Sequence, residues 1–318
     1  WQSSVWGLGL PLGLFAWAGS ALFVWQWWRT RGLVVSSSTG LTANSVDGWR
    51  DGFVLSWALV YFLIVGGQYA KYLRYLLPLL PFLFLMATVT VSRITHHALR
   101  VMSFAFVSLA VLAALVYSVA FTSIYSRAHP WLQISNWIYQ NIPANASVAT
   151  EHWDDLLPLS MRGADAERAP TQYRIETLPM YDADDAAKLA TLVDALASTD
   201  YIILASPRLY ATITRLPARY PISSRYYQLL FNGGLGFDLV AFARNDPAFA
   251  GIVVADDPVA AVGLSEPQAL ADYWRSAATW NWGRADESFA VYDHPMPLVF
   301  KKTRVLSRDE LRALLTPR

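Results

Sequence analysis

The segment Lys71-Tyr72-Leu73-Arg74-Tyr75 places two cations and two phenols within a few consecutive residues. It lies between two long apolar stretches, so both cations belong at the end of a membrane helix. An ammonium and a guanidinium at that boundary suit the phosphate of a lipid, because attraction between charges is strong in a partly dehydrated place and Arg offers a forked set of donors. The same residues also suit simple anchoring, in which long side chains reach from the helix end into water. The composition leaves both interpretations open.

A second candidate group is the run Glu151, His152, Trp153, Asp154 and Asp155. It follows a predicted strand, and ligands of open α/β sheets bind outside the carboxyl ends of the strands. These side chains can bind a sugar, by stacking on its ring and accepting from its hydroxyls, or can chelate a hard divalent cation. An ordinary solvated loop explains the same composition. The spacing matches no metal-ligand motif, so we predict no metal site and no cofactor, with a divalent cation left open.

The composition excludes several kinds of chemistry. The chain has no Cys, which excludes disulfides, thiolate catalysis and zinc–thiolate sites. A formal net charge of +1 excludes a cationic nucleic-acid binder, so no nucleic-acid partner is expected. We find no nucleophile elbow, no nucleotide-binding signature and no paired-carboxylate spacing. The chain opens at Trp1 beside an apolar run, which indicates the C-terminal part of a longer protein.

The elements that position these groups fall into two halves of different charge. Residues 1–124 contain 7 Lys and Arg against 2 Asp and Glu, whereas residues 125–318 contain 18 against 22. Four apolar stretches in the basic half are long enough for a membrane-spanning helix, which takes about 20 residues. We therefore predict a bundle of four transmembrane helices over 1–124 and an α/β domain over 125–318. The four predicted spans are residues 6–28, 52–70, 75–92 and 101–124.

The Lys and Arg residues of the short loops predict the orientation in the membrane. One side carries Arg29, Arg31, Arg50, Arg93 and Arg100, and the other carries Lys71, Arg74 and Arg127. The side with more cations is the cytoplasmic one. We therefore predict a multi-pass protein of the cell membrane whose C-terminal domain is extracytoplasmic.

Beyond the apolar half, predicted strands and helices alternate, which indicates a small α/β domain with a partly parallel sheet. The predicted helices are 129–141, 183–197 opened by Asp182, 207–230 interrupted by Pro217 and Pro221, and 307–315 opened by a Ser307–Glu310 capping box. The predicted strands are 146–151, 173–178, 200–205 and 237–243, followed by a hairpin of 288–293 and 297–302.

The run from Lys71 to Pro81, Lys-x-x-Arg-Tyr-Leu-Leu-Pro-Leu-Leu-Pro, resembles the Arg-Tyr-Leu-Leu-Pro signature of bacterial and archaeal GT-C glycosyltransferases. These are membrane enzymes of the dolichyl-phosphate-mannose protein mannosyltransferase and aminoarabinose transferase type, family 39 and its relatives. The resemblance spans most of the chain. Further segments that resemble the outer tail of bacterial members run from His129-Pro130-Trp131 to Asp155, from Ser206-Pro207-Arg208 to Arg219-Tyr220-Pro221, and from Phe289 to Pro295.

The resemblance implies that a sugar moves from a polyprenyl-phosphate donor to a glycan, lipid or protein acceptor on the outer face, with inversion at the anomeric carbon. It implies that Lys71 and Arg74 bind the donor phosphate and that Tyr75 donates a hydrogen bond to it. The catalytic acidic residue of such enzymes lies in a first outer loop, which is expected upstream of Trp1. Our own hypothesis, beyond the family, is that Glu151–Asp155 faces the sugar or the acceptor.

Two other classes of function stay open. In the first, the domain after residue 124 binds glycans or partners without catalysis, and the helices only anchor it in the membrane. The second is a lipid or solute transporter, which is expected to carry charged residues within its spans or paired, broken half-helices. The four apolar stretches are nearly free of charge, which argues against a transporter.

Overall fold

The chain forms a helical part followed by an α/β part. It divides into two compact units, Trp1–Ser118 and Val119–Arg318, slightly before the boundary predicted from the sequence. The computed structural model describes residues 10–34, 43–68, 73–94, 96–152, 155–162, 167–276 and 278–317.

Helices make up the described part of the first unit. Pro78 lies within a 3-10 helix, and Pro81 lies in the first turn of the α-helix that follows, where the missing N–H leaves no hydrogen bond unmade. The helices are α1 Leu10–Val34, α2 Ala43–Gly66, the 3-10 helix Leu73–Leu79, α3 Leu80–Ser92 and α4 His97–Thr122.

Two stretches are long and apolar enough to cross a membrane by length and composition. They are Arg74–Ser92, with 19 residues, and His97–Asn141, with 45 residues. These stretches contain the third and fourth predicted spans. Helices α1 and α2, with 25 and 24 residues, lie at the first and second. The structure therefore has a helix at each predicted position. Two of the described stretches are both long enough and apolar enough to cross a membrane.

The ends of the first two helices differ from the prediction. Arg29 and Arg31 belong to α1, and Arg50 belongs to α2, although all three were predicted in a loop. Arg is a good helix former, so a helix continues after its apolar run ends. The guanidinium of Arg29 lies 4.6 Å from the ring centroid of Trp25, one turn earlier in α1.

Helices α1 and α3 pack closely through small residues. A Cβ added to Gly19 would lie 2.4 Å from the Cβ of Ala87, so this contact requires glycine. The hydroxyl of Thr90 donates to the carbonyl oxygen of Gly19 at 3.1 Å. Small residues that allow two helix backbones to approach are the usual means of helix packing within a membrane.

Contacts along their length show that α1 and α3 run in the same direction. The ring centroids of Phe15 and Phe84 lie 6.5 Å apart. Further along both helices, the guanidinium of Arg93 lies 5.2 Å from the ring centroid of Phe23. Residue numbers therefore increase together along the two helices.

Helix α2 runs in the opposite direction to α3. Arg93, just after the end of α3, forms an ion pair of 2.6 Å with Asp51 near the start of α2. Near the other end, the Tyr61 hydroxyl donates to the carbonyl oxygen of Tyr75 at 2.7 Å. The direction of α1, α2 and α3 therefore alternates along the chain.

The second unit is built on a mixed five-stranded sheet of order β4-β1-β5-β10-β6. The predicted strands at β1, β4, β5 and β6 are confirmed. Numbered along the chain, the strands are β1 Ser147–Glu151, β2 Met161–Arg162, β3 Glu167–Arg168, β4 Arg174–Leu178, β5 Tyr201–Leu204, β6 Phe237–Phe242, β7 Ala248–Phe249, β8 Ile252–Ala255, β9 Ala278–Asn281 and β10 Leu298–Lys302.

Helices cover both faces of this sheet, and side chains of β5 alternate between the two cores. Ile202 and Leu204 pack with α6, α7, α8 and α11, whereas Tyr201 and Ile203 pack with α5. The helices of this unit are α5 Pro130–Asn141, α6 Ala186–Ser198, α7 Tyr210–Ile213, α8 Pro221–Phe231, α9 Gln268–Ser276, α10 Glu287–Ala290 and α11 Arg308–Leu315, with 3-10 helices at Ser123–Ser126, Pro170–Gln172 and Ala260–Val262.

Two predicted elements of this unit are corrected. Helix α6 is capped by Asp185, which accepts from the Lys188 N–H at 2.9 Å, and not by Asp182. The predicted tail hairpin is wrong. Its first half forms the short helix α10, capped by Asp286, and its second half, β10, pairs with the distant strands β5 and β6. The capping box of Ser307 and Glu310 at α11 is confirmed.

The region 246–285, which the sequence pattern left unassigned, forms a small sheet of order β7-β8-β9. Strands β7 and β8 are antiparallel, and β8 and β9 are parallel. Helix α9 lies between β8 and β9 in the chain and packs near β6. A buried arginine joins this sheet to β6, as described below.

Candidate functional site

The 3-10 helix before α3 positions the first group of predicted site residues. Arg74 is exposed, and its guanidinium lies 5.8 Å from the ring centroid of Tyr75. The hydrogen bond from the Tyr61 hydroxyl to the Tyr75 carbonyl oxygen ties this turn to α2. The turn thus presents a forked cation beside a phenol at the first residue of an apolar stretch. Lys71 lies outside the described residues.

The second group lies at one edge of the five-stranded sheet. Strands β1, β4 and β5 are parallel, and β10 is antiparallel to both β5 and β6. The carboxyl ends of β4, β1, β5 and β6 therefore meet at the same edge, which we call the carboxyl edge. Glu151 ends β1, Ser206 follows β5, and Arg244 follows β6 at this edge. Open α/β sheets bind their ligands at such an edge.

Glu151 points into the domain. Glu151 is 7% exposed, and its carboxylate accepts a hydrogen bond from the Tyr227 hydroxyl at 2.6 Å. The ring of Tyr226 lies 5.0 Å from that of Tyr227. Burial, followed by the Glu151 charge, raises the pKa of the Tyr227 phenol well above its ordinary value. Glu151 is therefore part of the packed core and is shielded from solvent by this phenol.

His152 is held by the backbone of the neighbouring strand. The Met180 N–H donates to its Nδ1 at 3.0 Å, and the Leu178 carbonyl oxygen lies 2.9 Å from the same atom. The ring of Tyr181 lies edge-on at 6.1 Å. Asp155 is exposed in the following loop. Trp153 and Asp154 lie outside the described residues.

The structure adds a polar cluster that the spacing of the sequence did not reveal. The Nε of Arg208 donates to Glu287 at 2.9 Å, and its guanidinium lies 5.5 Å from the ring centroid of Tyr292. Tyr292 is 60% exposed. Tyr181 lies next to this cluster, and burial, together with the Glu287 charge, raises its pKa to about 12. An exposed ring beside a donor fork and a carboxylate is suited to a sugar or another polar ligand with a flat face.

Two segments that were noted for their family resemblance, 206–221 and 289–295, supply Arg208 and Tyr292 to this cluster. The arginine and the aromatic ring are far apart in the chain and lie on different elements. Only the resemblance singled out these segments, since no local motif connects Arg208 with Glu287.

A buried charge network lies at the end of β6. Arg244 contacts Asp246 at 2.5 Å and Asp256 at 2.9 Å, and Tyr273 donates to Asp246 at 3.0 Å. Burial alone lowers the pKa of Arg244, but the two carboxylates outweigh this, so the net pKa is raised. Trp274 lies 4.7 Å from the guanidinium. The network fastens the small sheet and α9 to β6, which is a structural role.

His294, just before β10, is buried between aromatic rings. It is 5% exposed, and the rings of Phe121 and Phe289 lie 5.9 and 4.9 Å away. Neither ring nitrogen has a hydrogen-bond partner among the residues that the structure describes. Burial lowers the pKa of His294 to about 4, so the ring is neutral at physiological pH.

Within the described ranges, no group of three or more His, Cys, Asp or Glu side chains is arranged to hold a metal ion. The structure thus brings Arg74 and Tyr75 together on one turn, and His152, Tyr181, Arg208, Glu287 and Tyr292 at the carboxyl edge. Comparison with models of known protein families, with curated proteins and with solved structures finds no match for this chain.

Proposed function

We propose that the chain is part of a membrane glycosyltransferase that moves a sugar from a polyprenyl-phosphate donor to an acceptor on the outer face of the membrane. The observation that carries the proposal is the position of Arg74. Its guanidinium is exposed beside Tyr75 at the first residue of the apolar stretch Arg74–Ser92. A cation at that position meets an anionic headgroup whose hydrocarbon tail stays among the apolar helices.

Four membrane crossings are part of the proposal. At about 1.5 Å per residue, helices of 25 and 24 residues are longer than the roughly 30 Å of a bilayer core, so α1 and α2 are long enough to cross. The alternating direction of α1, α2 and α3 is that of successive crossings. The start of α2 and the end of α3 meet at the Arg93–Asp51 ion pair, and Arg50 lies at the same end. We assign this end to the cytoplasm because arginine accumulates there.

The proposed reaction breaks the bond between the anomeric carbon of the sugar and the donor phosphate. The acceptor attacks that carbon from the opposite side, the bonding electron pair leaves with the phosphate, and the proton of the acceptor goes to a base. As the resemblance implies, we propose that this base is a carboxylate in the first outer loop of the enzyme. Lys71 and Arg74 are proposed to stabilise the charge of the leaving phosphate, with Tyr75 as a hydrogen-bond donor. The scheme needs no cofactor.

We further propose the carboxyl edge as the surface that meets the sugar or its glycan, lipid or protein acceptor. Tyr292, Arg208 and Glu287 combine an exposed ring face with a donor fork and a carboxylate. His152 and Asp155 extend this edge, with Trp153 and Asp154 between them in the chain. We propose that the buried Glu151 acts as a positioning residue, through its hydrogen bond from the Tyr227 hydroxyl.

The same cluster also favours a second candidate function. A carboxyl edge that binds a glycan or a partner, with the helices as a plain anchor, would use Tyr292 and Arg208 in the same way. The two candidates differ in the behaviour of the membrane part, because a plain anchor has no selectivity for a polyprenyl phosphate.

The proposal is tested by the affinity of the full chain for a polyprenyl phosphate in detergent micelles. We expect Arg74→Ala and Lys71→Ala each to weaken binding, with a loss of roughly tenfold for Arg74→Ala, since a hydrogen-bonded charge pair is removed. Arg100→Ala is the matched control. Arg100 is also exposed, and its guanidinium lies 5.8 Å from the ring centroid of Phe104, which is the geometry of Arg74 and Tyr75.

Binding that is unchanged in both Lys71→Ala and Arg74→Ala would refute the assignment of this turn. An equal loss in Arg74→Ala and Arg100→Ala would also contradict it, because the effect would then be one of general positive charge. Normal glycan binding without selectivity for the polyprenyl phosphate would favour the anchored binding module.

A further inference from the structure

The small sheet of the second unit has one apolar face. Phe249 pairs with Ile252 across the β7–β8 hairpin, Ile252 pairs with Ala278, and Val254 pairs with Trp280. Paired residues point to the same side of a sheet, and so do residues two apart in a strand. Phe249, Ile252, Val254, Ala278 and Trp280 therefore share one face, which we call the apolar sheet face.

This face is open to solvent within the unit. Phe249 is 46% exposed, Ile252 50% and Trp280 63%, and none of the five residues is charged. The turn that joins β7 to β8, Ala250–Gly251, is exposed as well, and both residues have a positive φ. A two-residue turn of this kind makes a short, tight hairpin tip. Exposed apolar side chains gathered on one side of a sheet mark a contact surface.

The hairpin lies beside the residues that directly follow α4. The Ala248 N–H donates to the Ser123 hydroxyl at 3.0 Å, and Ser123 is the first residue after α4 ends at Thr122. Tyr125, two residues further on, is 63% exposed. The stretch that contains α4, His97–Asn141, is apolar and long enough to cross a membrane. The apolar sheet face is thus close to the C-terminal end of α4.

We propose that the apolar sheet face lies on the outer surface of the bilayer, with Phe249 and Ile252 at the boundary between headgroups and acyl chains. The inference rests on the proposed membrane crossing of α4. Uncharged apolar side chains with a tryptophan among them match this layer, because indole and phenol rings favour the membrane interface. This contact would attach the second unit to the bilayer at a second site, close to the end of α4.

The absence of Cys from the chain allows single cysteines to report on this contact. Ile252→Cys and Ala278→Cys place a fluorescent label on the apolar sheet face. Val305→Cys is the matched control, since Val305 is apolar and 82% exposed but follows β10 at the opposite edge of the main sheet. Leu109→Cys, on an exposed residue of α4, reports on the crossing itself. The full chain is reconstituted into vesicles of phosphatidylethanolamine and phosphatidylglycerol with a spin-labelled lipid as quencher.

We expect the labels at Ile252 and Ala278 to be quenched at least about threefold more strongly than the label at Val305, with blue-shifted emission, as for an interfacial side chain. Quenching at Leu109 together with no excess at Ile252 and Ala278 would overturn this inference and leave the crossing intact. No quenching at Leu109 would overturn both. Blue-shifted emission at Ile252 without lipid quenching would show that protein, such as a second copy, covers the face instead.

Discussion

Three buried tyrosines near Glu151 show how residues of the same type differ in their hydrogen bonds. Tyr210, Tyr226 and Tyr227 are each fully buried, and burial raises the pKa of each phenol well above its ordinary value. Of the three, Tyr227 donates to Glu151. The Tyr226 hydroxyl is buried, and no residue in the described part of the chain bonds to it. Two neighbouring residues of α8 with the same side chain therefore have different energetic roles.

Removing the Tyr227 hydroxyl tests the role of this hydrogen bond. We expect Tyr227→Phe to lower the free energy of unfolding by about 1–3 kcal/mol, because a buried carboxylate loses a donor. Tyr226→Phe, in contrast, removes a hydroxyl that none of the described residues bonds to, so it is expected to be neutral or slightly stabilising. Denaturant unfolding of the full chain in detergent micelles measures both. Equal effects of the two substitutions would show that Glu151 does not depend on Tyr227.

His294 makes the second unit sensitive to acid. Burial moves its pKa from 6.5 to about 4, and the charges that act on it are those of Asp246, Arg244, Asp293 and Arg127. An unfolded chain binds a proton on this ring below pH 6.5, whereas the folded chain does so only near pH 4. Folding stability is therefore expected to fall as the pH drops through this window, by about 3 kcal/mol in total.

His294→Leu isolates this contribution, because Leu keeps an apolar side chain between the Phe121 and Phe289 rings and cannot titrate. We expect the parent chain to lose more unfolding free energy than this variant between pH 7 and pH 4. The measurement is the denaturation midpoint at each pH. If the denaturation midpoints of the two proteins fell in parallel with pH, His294 would not be the cause of the acid sensitivity.

Residue types alone predicted part of the candidate site. The residue types predicted that Arg74 and Tyr75 lie in a short turn beside an apolar stretch, but not that the Arg74 guanidinium contacts the Tyr75 ring. Their role in phosphate binding stays a prediction. The inward direction of Glu151 does not follow from local sequence, because its partner Tyr227 lies on α8 and meets it only after folding. For the same reason, no local pattern predicted the cluster of Arg208, Glu287 and Tyr292. The segments noted for their family resemblance contain Arg208 and Tyr292 but not Glu287.

At the scale of elements, the approach of α1 to α3 depends on Gly19. A Cβ at this position would lie 2.4 Å from the Ala87 Cβ and 2.6 Å from its Cα, so one helix has to move. We expect Gly19→Ala to lower stability by about 1–3 kcal/mol, as overpacking does. Gly66→Ala is the matched control, since nothing lies within 4 Å of a Cβ built there. Unfolding by SDS in mixed micelles compares the two. A stable Gly19→Ala protein would contradict the close contact.

The elements that the sequence predicted are those with a long or strong local pattern. Strand β5 is a continuous apolar run, and α11 has a capping box at Ser307. The small sheet was missed because β7 has only two residues, which is too short for a recognisable period, and because β8 pairs with β9, which follows α9 in the chain. The tail hairpin was wrong because Asp286 caps a helix, and β10 pairs with β5 and β6 rather than with its neighbour in the chain.

At the scale of the whole molecule, the contrast in charge and hydropathy predicted a helical part followed by an α/β part. The exact boundary had no such signal. The last residues of α4 belong to the second unit, where Phe121 packs against Phe289 and His294. These contacts join residues that are distant in the chain, so the hydropathy pattern alone placed the boundary slightly late.

The proposed function depends on one claim about the whole molecule, namely that the turn at Arg74 holds the phosphate of a polyprenyl lipid. The most direct measurement is photo-cross-linking of a polyprenyl phosphate that carries a photoactivatable group near its headgroup, in vesicles that contain the full chain. We expect the label on the peptide that includes Arg74 and Tyr75, with competition by unmodified polyprenyl phosphate and little competition by phosphatidylglycerol. Labelling spread over other helices, or equal competition by phosphatidylglycerol, would contradict the claim.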